Sequence, residues 1–128
     1  MKNAATFCTI LLASLLANAQ PTEMTLDSKQ VATELKDHGM RLRMHHNGFN
    51  FDTEISFASD GSFIQTNDGS GANSDKGKWE ISETDNFLRL TYQVWSAGCF
   101  RVVKRAEKLV FFGCRSGKEL LVELPHNE

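Results

Sequence analysis

The sequence predicts a mainly β protein, with seven or eight short strands in an antiparallel up-and-down meander that forms a barrel or half-barrel. Residues 51–57 alternate between apolar and polar side chains, which is the period of a strand with one buried face. Turn-forming residues recur at short intervals between positions 47–48 and 116–118. One N-terminal helix, over residues 28–38, precedes the strands.

Residues 1–19 have the three parts of a secretory signal peptide. Lys2 supplies the positive charge, residues 9–16 form an apolar core, and residues 17–19 (Ala-Asn-Ala) provide a small-x-small cleavage site. The apolar core is too short for a membrane span. We therefore expect cleavage at the end of this segment, a single β domain over residues 20–128, and a periplasmic or secreted location.

The helix over residues 28–38 is predicted from its first turn. Asp27 can accept a hydrogen bond from the helix N-terminus while Gln30 returns one, which makes a capping box. An apolar stripe with helical spacing begins at Val31. Gly39 is placed to end the helix as a C-cap, because glycine adopts the left-handed conformation freely.

The central hairpin turns at Asp60-Gly61, and two geometries fit its sequence. A two-residue loop would pair Phe57 with Ile64. A three-residue loop with Gly61 in the left-handed conformation would pair Phe57 with Phe63 instead. We favour the second geometry, because it places the two phenylalanine rings on one face of the sheet.

The other strands are predicted from the same alternation. Residues 68–76 are polar and carry no regular pattern, so we expect an irregular loop there. The predicted strands outside the central hairpin are 41–46, 77–82, 87–93, 99–105, 108–114 and 120–124.

Removal of the signal segment leaves two cysteines, the number needed for one bridge in an oxidising compartment. Cys99 and Cys114 are equidistant from a turn centred between Ala106 and Glu107, so they should face each other across a hairpin. We expect a four-residue loop over 105–108, because it would place the cysteines at a non-hydrogen-bonded pair. A two-residue loop would place them at a hydrogen-bonded pair.

Four short patterns resemble small bacterial exported lipocalin-like proteins. They are F-x-x-D-G-x-F at 57–63, G-K-W-x-I at 77–81, L-x-L at 88–90 and C-F-R-V-V at 99–103. The resemblance implies an up-and-down sheet curled into a barrel or half-barrel, in a group whose members mostly have no assigned activity. A domain of this length is expected to fill most of a small barrel with side chains.

Few residues suggest catalysis or metal binding. The sequence has no G-x-S-x-G, H-E-x-x-H or P-loop motif. His45 and His46 are adjacent, so they point to opposite faces of a strand and cannot share a metal there. Asp52 and Glu54 lie on one face, which is best interpreted as a solvated outer face. We predict no catalytic residue, metal or cofactor, and a protein that is not an enzyme.

The charge of the chain is uneven although its net charge is only −2, with 14 Lys/Arg and 16 Asp/Glu. That balance argues against nucleic-acid binding. Positive residues concentrate on the last hairpins, near the aromatic side chain of Trp95. We predict that this region recognises an anionic partner, whereas the alternative is a solubilising surface. The predicted partner-binding residues are Arg101, Lys104, Arg105, Lys108 and Trp95.

These features predict an exported, non-enzymatic binding module for an anionic or protein partner. The alternatives are a structural or accessory envelope protein, an inhibitor that acts by protein association, or a carrier of a small apolar ligand. The hairpin over 99–114 is apolar on both faces, which the helix or a second subunit in a homodimer could cover. An apolar cavity would favour the carrier, and an exposed apolar patch would favour a protein partner.

Overall fold

The computed structural model describes residues 23–46, 48–67 and 73–125, which form nine strands and one helix. The predicted signal segment, residues 1–19, lies outside the described residues. The elements in chain order are β1 (Glu23–Thr25), α1 (Ser28–Leu35), β2 (His38–His46), β3 (Phe49–Phe57), β4 (Ser62–Asn67), β5 (Ser74–Ile81), β6 (Leu88–Tyr92), β7 (Gly98–Arg105), β8 (Lys108–Gly113) and β9 (Glu119–Glu123).

Strands β2 to β9 form a closed antiparallel barrel, which confirms the predicted fold class. Each strand pairs with the next along the chain, and β9 returns to β2 through the pair Met44 and Leu121. β1 is an additional strand that was not predicted. It pairs with the end of β7, where Thr25 faces Val103, beyond the segment of β7 that pairs with β6.

The central hairpin has the predicted register. Phe57 faces Phe63 across β3 and β4, and Gly61 has a φ of 91° in the intervening turn. The two phenylalanine side chains are 1% exposed, and their ring centroids lie 6.3 Å apart. The turn therefore directs both rings into the barrel core.

The helix begins as predicted, with a complete capping box between Asp27 and Gln30. It ends at Leu35 rather than at residue 38, so the predicted C-cap is wrong. Asp37 takes the left-handed conformation, with a φ of 60°, and Gly39 already belongs to β2. Because β2 pairs with β3 from His38 onward, residues 38 and 39 belong to the sheet and not to the helix.

The loop predicted over residues 68–76 extends too far at its C-terminal end. Residues 74–76 already belong to β5, where Ser74 faces Thr66 and Asp75 faces Gln65 on β4. Residues 68–72 lie outside the described part of the chain. Cross-strand pairing therefore overrides the weak strand propensity of a Ser-Asp-Lys segment.

Helix α1 closes one end of the barrel, which we call the helix end. Val31 and Leu35 are fully buried and belong to the barrel core. The Ser28 N–H donates to Asn86 in the β5–β6 turn, at 2.9 Å. The opposite end, where β6 connects to β7, is called the open end.

The β7–β8 hairpin contains the predicted disulfide between Cys99 and Cys114, but its turn differs from the prediction. Arg105 faces Lys108 directly, so the loop has two residues and not four. The cysteines therefore lie at a hydrogen-bonded pair, with the Cys114 N–H donating to the Cys99 carbonyl at 3.1 Å. A two-residue turn prevails because its twist matches that of the flanking strands.

This turn holds two non-glycine residues at positive φ, 48° at Ala106 and 71° at Glu107. Such values suit Asn and Gly better, because a Cβ is strained in the left-handed region. Replacing the pair by Asn-Gly should raise the free energy of unfolding by about 1 kcal/mol. Urea denaturation would measure this change. Ala106→Val should lower the same free energy, and equal stability of all three proteins would contradict the turn assignment.

Both faces of the β7–β8 hairpin are covered within one chain. Its inner face contributes Val102 and Phe111 to the barrel core. On its outer face, Val103 and Val110 are each 1% exposed. A second subunit is therefore not needed to bury these valines.

Candidate functional site

A cleft of about 570 Å³ lies at the open end of the barrel. It lies in the mouth formed by β2, β3, β4, β6, β7 and β9, and the β6–β7 connection forms one side. Three side-chain amides, from Gln65, Asn67 and Asn73, also line the cleft. Its large apolar and aromatic lining residues are Met44, Phe51, Tyr92, Trp95, Phe100 and Leu120.

The cleft exists because β6 and β7 separate toward the open end. They pair only from Leu88 and Phe100 to Leu90 and Gly98. A Cβ at Gly98 would lie 2.8 Å from the ring of Phe100, so any other residue there would displace that ring. The absence of that side chain lets the Phe100 ring occupy the cleft wall.

A buried carboxylate holds the connection between β6 and β7. Asp75 is 7% exposed, and its Oδ2 accepts hydrogen bonds from the backbone N–H groups of Val94 and Trp95, each at 2.8 Å. Burial alone would raise the pKa of the Asp75 carboxyl, but the backbone N–H donors outweigh it and hold that pKa below its usual value. The ionised Asp75 thus fixes the backbone that carries Trp95.

A chain of hydrogen bonds crosses the floor of the cleft. The Tyr92 hydroxyl donates to Gln65 Oε1, and Gln65 Nε2 donates to Thr53 Oγ1 at 3.0 Å. The Thr53 hydroxyl in turn donates to the Thr66 carbonyl at 3.3 Å. Burial, followed by the nearby charge of Asp75, raises the pKa of Tyr92 to about 12, so its hydroxyl stays protonated at neutral pH.

Aromatic rings continue from the barrel core to the cleft. Tyr92 meets Phe63 edge-on, with ring centroids 5.0 Å apart. Trp95 extends this cluster, with its ring centroid 5.5 Å from that of Tyr92. Tyr92 and Trp95 therefore present a rigid aromatic surface to anything inside the cleft.

Two of the predicted basic residues are paired with acidic side chains from distant parts of the chain. Lys104 Nζ lies 2.8 Å from Glu34 Oε2 on the helix. Arg105 contacts both Glu23 on β1, at 2.7 Å, and Glu119 on β9, at 3.1 Å. These ion pairs lower the net positive charge that an anionic partner would meet.

The remaining basic residues occupy separate places. Arg101 lies over the Phe112 ring, 4.6 Å from its centroid, and donates to Thr25 Oγ1 at 3.3 Å. Lys108 is exposed in the turn region at the helix end, whereas Trp95 lies at the open end. The structure therefore does not bring Trp95 together with the basic residues, and their recognition of an anionic partner stays a prediction.

Sequence reasoning missed Thr53, Gln65 and Asp75 as members of the site. Thr53 and Gln65 occupy inward positions of β3 and β4, and each is at most 2% exposed. The signal that could have identified them is a polar residue at an inward-facing position of a strand with alternating polarity. Asp75 gave no such signal, because its segment was interpreted as a loop.

Among the described residues, the histidines and outer acidic side chains form no reactive arrangement. His45 Nδ1 lies 2.6 Å from Asn50 Oδ1, whereas the His46 side chain lies outside the described part of the structure. Asp52 pairs with Arg43 at 2.9 Å, and this hydrogen bond lowers the pKa of the Asp52 carboxyl. Among the described residues there is no group of three or more His, Cys, Asp or Glu side chains that could hold a metal ion.

Comparisons with known proteins add no family to this picture. A scan against protein-family models and a search of curated proteins both gave no match. Over residues 23–46, 48–67 and 73–125, no helix has the length and apolarity required to cross a bilayer.

Proposed function

We propose that this protein is an exported, non-enzymatic binding module that holds a small, largely apolar ligand in the open-end cleft. The observation that carries this proposal is the cleft itself. Its volume of about 570 Å³ falls within the roughly 300–1,000 Å³ of small-molecule sites. Aromatic and aliphatic side chains predominate in its lining, and a few amide groups are interspersed among them.

The asymmetry of the barrel supports a ligand site at this end. The helix end is closed by α1, where Val31 and Leu35 are 0% exposed. At the open end, the barrel strands leave room for a guest between Tyr92, Trp95 and Phe100. A barrel that only had to be stable would gain free energy by filling this space with side chains.

Two features support export, and the disulfide also supports a non-enzymatic role. The pattern of residues 1–19 is typical of a secretory signal peptide, and a disulfide is typical of an oxidising compartment. Cys99 lines the cleft but is bridged to Cys114, so it carries no free thiol for nucleophilic chemistry.

A neutral fluorescent probe, N-phenyl-1-naphthylamine, tests this function directly. Its emission should rise when it enters the cleft, with a dissociation constant in the micromolar range. Trp95→Ala should weaken binding about tenfold or more, because burial of a large apolar side chain is worth about 1.5–3 kcal/mol. The measurement is a fluorescence titration of each protein.

Ile64→Ala provides the matched control, because it also removes an apolar side chain but from outside the cleft. Ile64 is 58% exposed on β4 and does not line the cleft. Its probe affinity should equal that of the wild type. Absence of probe binding by the wild type, or equal weakening in Trp95→Ala and Ile64→Ala, would refute the open-end site.

A further inference from the structure

The hydrogen-bond chain on the cleft floor has a fixed direction. The Thr66 carbonyl can only accept, so the Thr53 hydroxyl must donate to it. Thr53 Oγ1 must then accept from the Gln65 amide nitrogen, which orients the Gln65 carbonyl oxygen toward Tyr92. Tyr92 must therefore donate its only proton to Gln65.

This direction leaves Tyr92 and Gln65 with free acceptors but no free donor. The second N–H of Gln65 Nε2 points to Asn67 Oδ1, at 3.5 Å, so both hydrogens of that nitrogen are directed at protein oxygens. The Tyr92 oxygen retains its lone pairs, and Gln65 Oε1 has one beyond the bond that it accepts. Since both residues line the cleft, a ligand must donate a hydrogen bond to pair with these oxygens.

The cleft also lacks charged groups that could compensate an ionic ligand. None of its described lining residues is Asp, Glu, Lys or Arg. The nearby Asp75 carboxylate is occupied by backbone N–H groups from Lys76, Val94 and Trp95. A charged ligand would lose its hydration without gaining a counter-charge, which is costly.

The aromatic surface indicates the shape of the ligand. The Tyr92 and Trp95 rings lie 5.5 Å apart with a tilt of 45° between their planes, and Phe100 lines the same space. Planar aromatic guests gain both buried area and ring–ring contacts on such a surface.

We infer, on the basis of the proposed function, that the ligand is an uncharged planar aromatic molecule that donates a hydrogen bond to the acceptor pair formed by the Tyr92 hydroxyl oxygen and Gln65 Oε1. Phenols and indole-like N–H compounds belong to this class. The same geometry disfavours aromatic ethers, which cannot donate to this acceptor pair, and aromatic carboxylates and arylalkylammonium compounds, which are charged.

Calorimetric titration at neutral pH with four naphthalenes tests the inference. The wild type should bind 2-naphthol about fivefold to tenfold more tightly than 2-methoxynaphthalene, because only the naphthol has a donor. It should bind 2-naphthoate and 2-naphthylmethylammonium at least about tenfold more weakly than 2-naphthol.

The double variant Tyr92→Phe/Gln65→Leu removes both acceptor oxygens while retaining apolar bulk. In this variant, 2-naphthol and 2-methoxynaphthalene should bind within about twofold of each other. Ile64→Ala, on the outer surface, should retain the preference for the naphthol. If the double variant does not fold, the comparison of the two ligands on the wild type decides the question alone.

Three kinds of outcome would overturn the inference in distinguishable ways. Equal binding of 2-naphthol and 2-methoxynaphthalene by the wild type, or a preference retained in the double variant, would refute the donor requirement and leave the open-end site standing. Binding of 2-naphthoate as tightly as 2-naphthol would refute the requirement for an uncharged ligand. Absence of binding by all four naphthalenes would refute the ligand class, and it would refute the proposed function as well only if N-phenyl-1-naphthylamine also fails to bind.

Discussion

Replacing Gly77 with alanine is expected to lower the free energy of unfolding by about 3 kcal/mol or more. Gly77 lies on β5 directly opposite Tyr92 on β6. A Cβ at this position would lie 1.8 Å from the Thr91 carbonyl oxygen and 3.0 Å from the Tyr92 Cα. These are backbone atoms, so they cannot move aside without breaking the β5–β6 ladder.

Gly39→Ala is the matched control for this substitution. Gly39 is also a strand residue, on β2, but a Cβ there would meet only the Ser56 side chain, with the hydroxyl oxygen nearest at 3.0 Å. That hydroxyl can rotate away, so the free energy of unfolding should change by less than about 0.5 kcal/mol. Urea denaturation of both variants measures the difference. A Gly77→Ala protein as stable as Gly39→Ala would show that β5 and β6 are not in such close contact.

Loss of the Cys99–Cys114 bridge is the other change with a large expected effect. The bridge joins residues 15 positions apart in sequence, and its removal should cost roughly 3 kcal/mol in the chain-entropy model. For a domain of this size, this loss corresponds to a decrease in Tm of roughly 10–20 °C. Thermal unfolding of a Cys99→Ser/Cys114→Ser variant, followed by circular dichroism, would measure the decrease.

A reductant provides the control for the bridge. Dithiothreitol should lower the Tm of the wild type toward that of the double serine variant and leave the variant itself unchanged. Free-thiol titration of the denatured, non-reduced wild-type protein should find neither Cys99 nor Cys114 reactive. Two reactive thiols, or equal Tm values for wild type and variant, would contradict a structural bridge.

The features that could be predicted from the sequence are those decided by nearby residues. The register of the central hairpin follows from Gly61, which determines the turn and thereby the partner of Phe57. The pairing of Cys99 with Cys114 follows from their equal distance to the turn after Arg105. In both cases a local signal fixes every pair along the two strands.

Features that depend on several strands could not be predicted. The polar floor combines Thr53 on β3, Gln65 on β4 and Tyr92 on β6, which become neighbours only through the order of strands in the closed barrel. The ion pairs of Lys104 with Glu34 and of Arg105 with Glu23 likewise join segments about 70 to 82 residues apart. A basic cluster on the sequence therefore says little about free positive charge on the folded surface.

The turn between β7 and β8 shows how a local rule can fail. A disulfide is less strained at a non-hydrogen-bonded pair, which favoured a four-residue loop. The strands nevertheless continue to Arg105 and Lys108, so only Ala106 and Glu107 form the turn. Pairing along both strands outweighs the strain of two positive φ values in the turn. The geometry of the bridge adapts to the register set by the whole hairpin.

The central claim is that a small ligand binds at the open end of the barrel, and the two tryptophans can locate it. Trp95 lines the cleft, whereas the Trp79 indole donates to the Ala58 carbonyl at the opposite end, at 2.9 Å. The measurement is the pair of indole N–H signals in a ¹H–¹⁵N NMR spectrum during titration with 2-naphthol. A saturable shift of the Trp95 signal with an unchanged Trp79 signal is predicted, and a shift of Trp79 alone, or of neither, would contradict the claim.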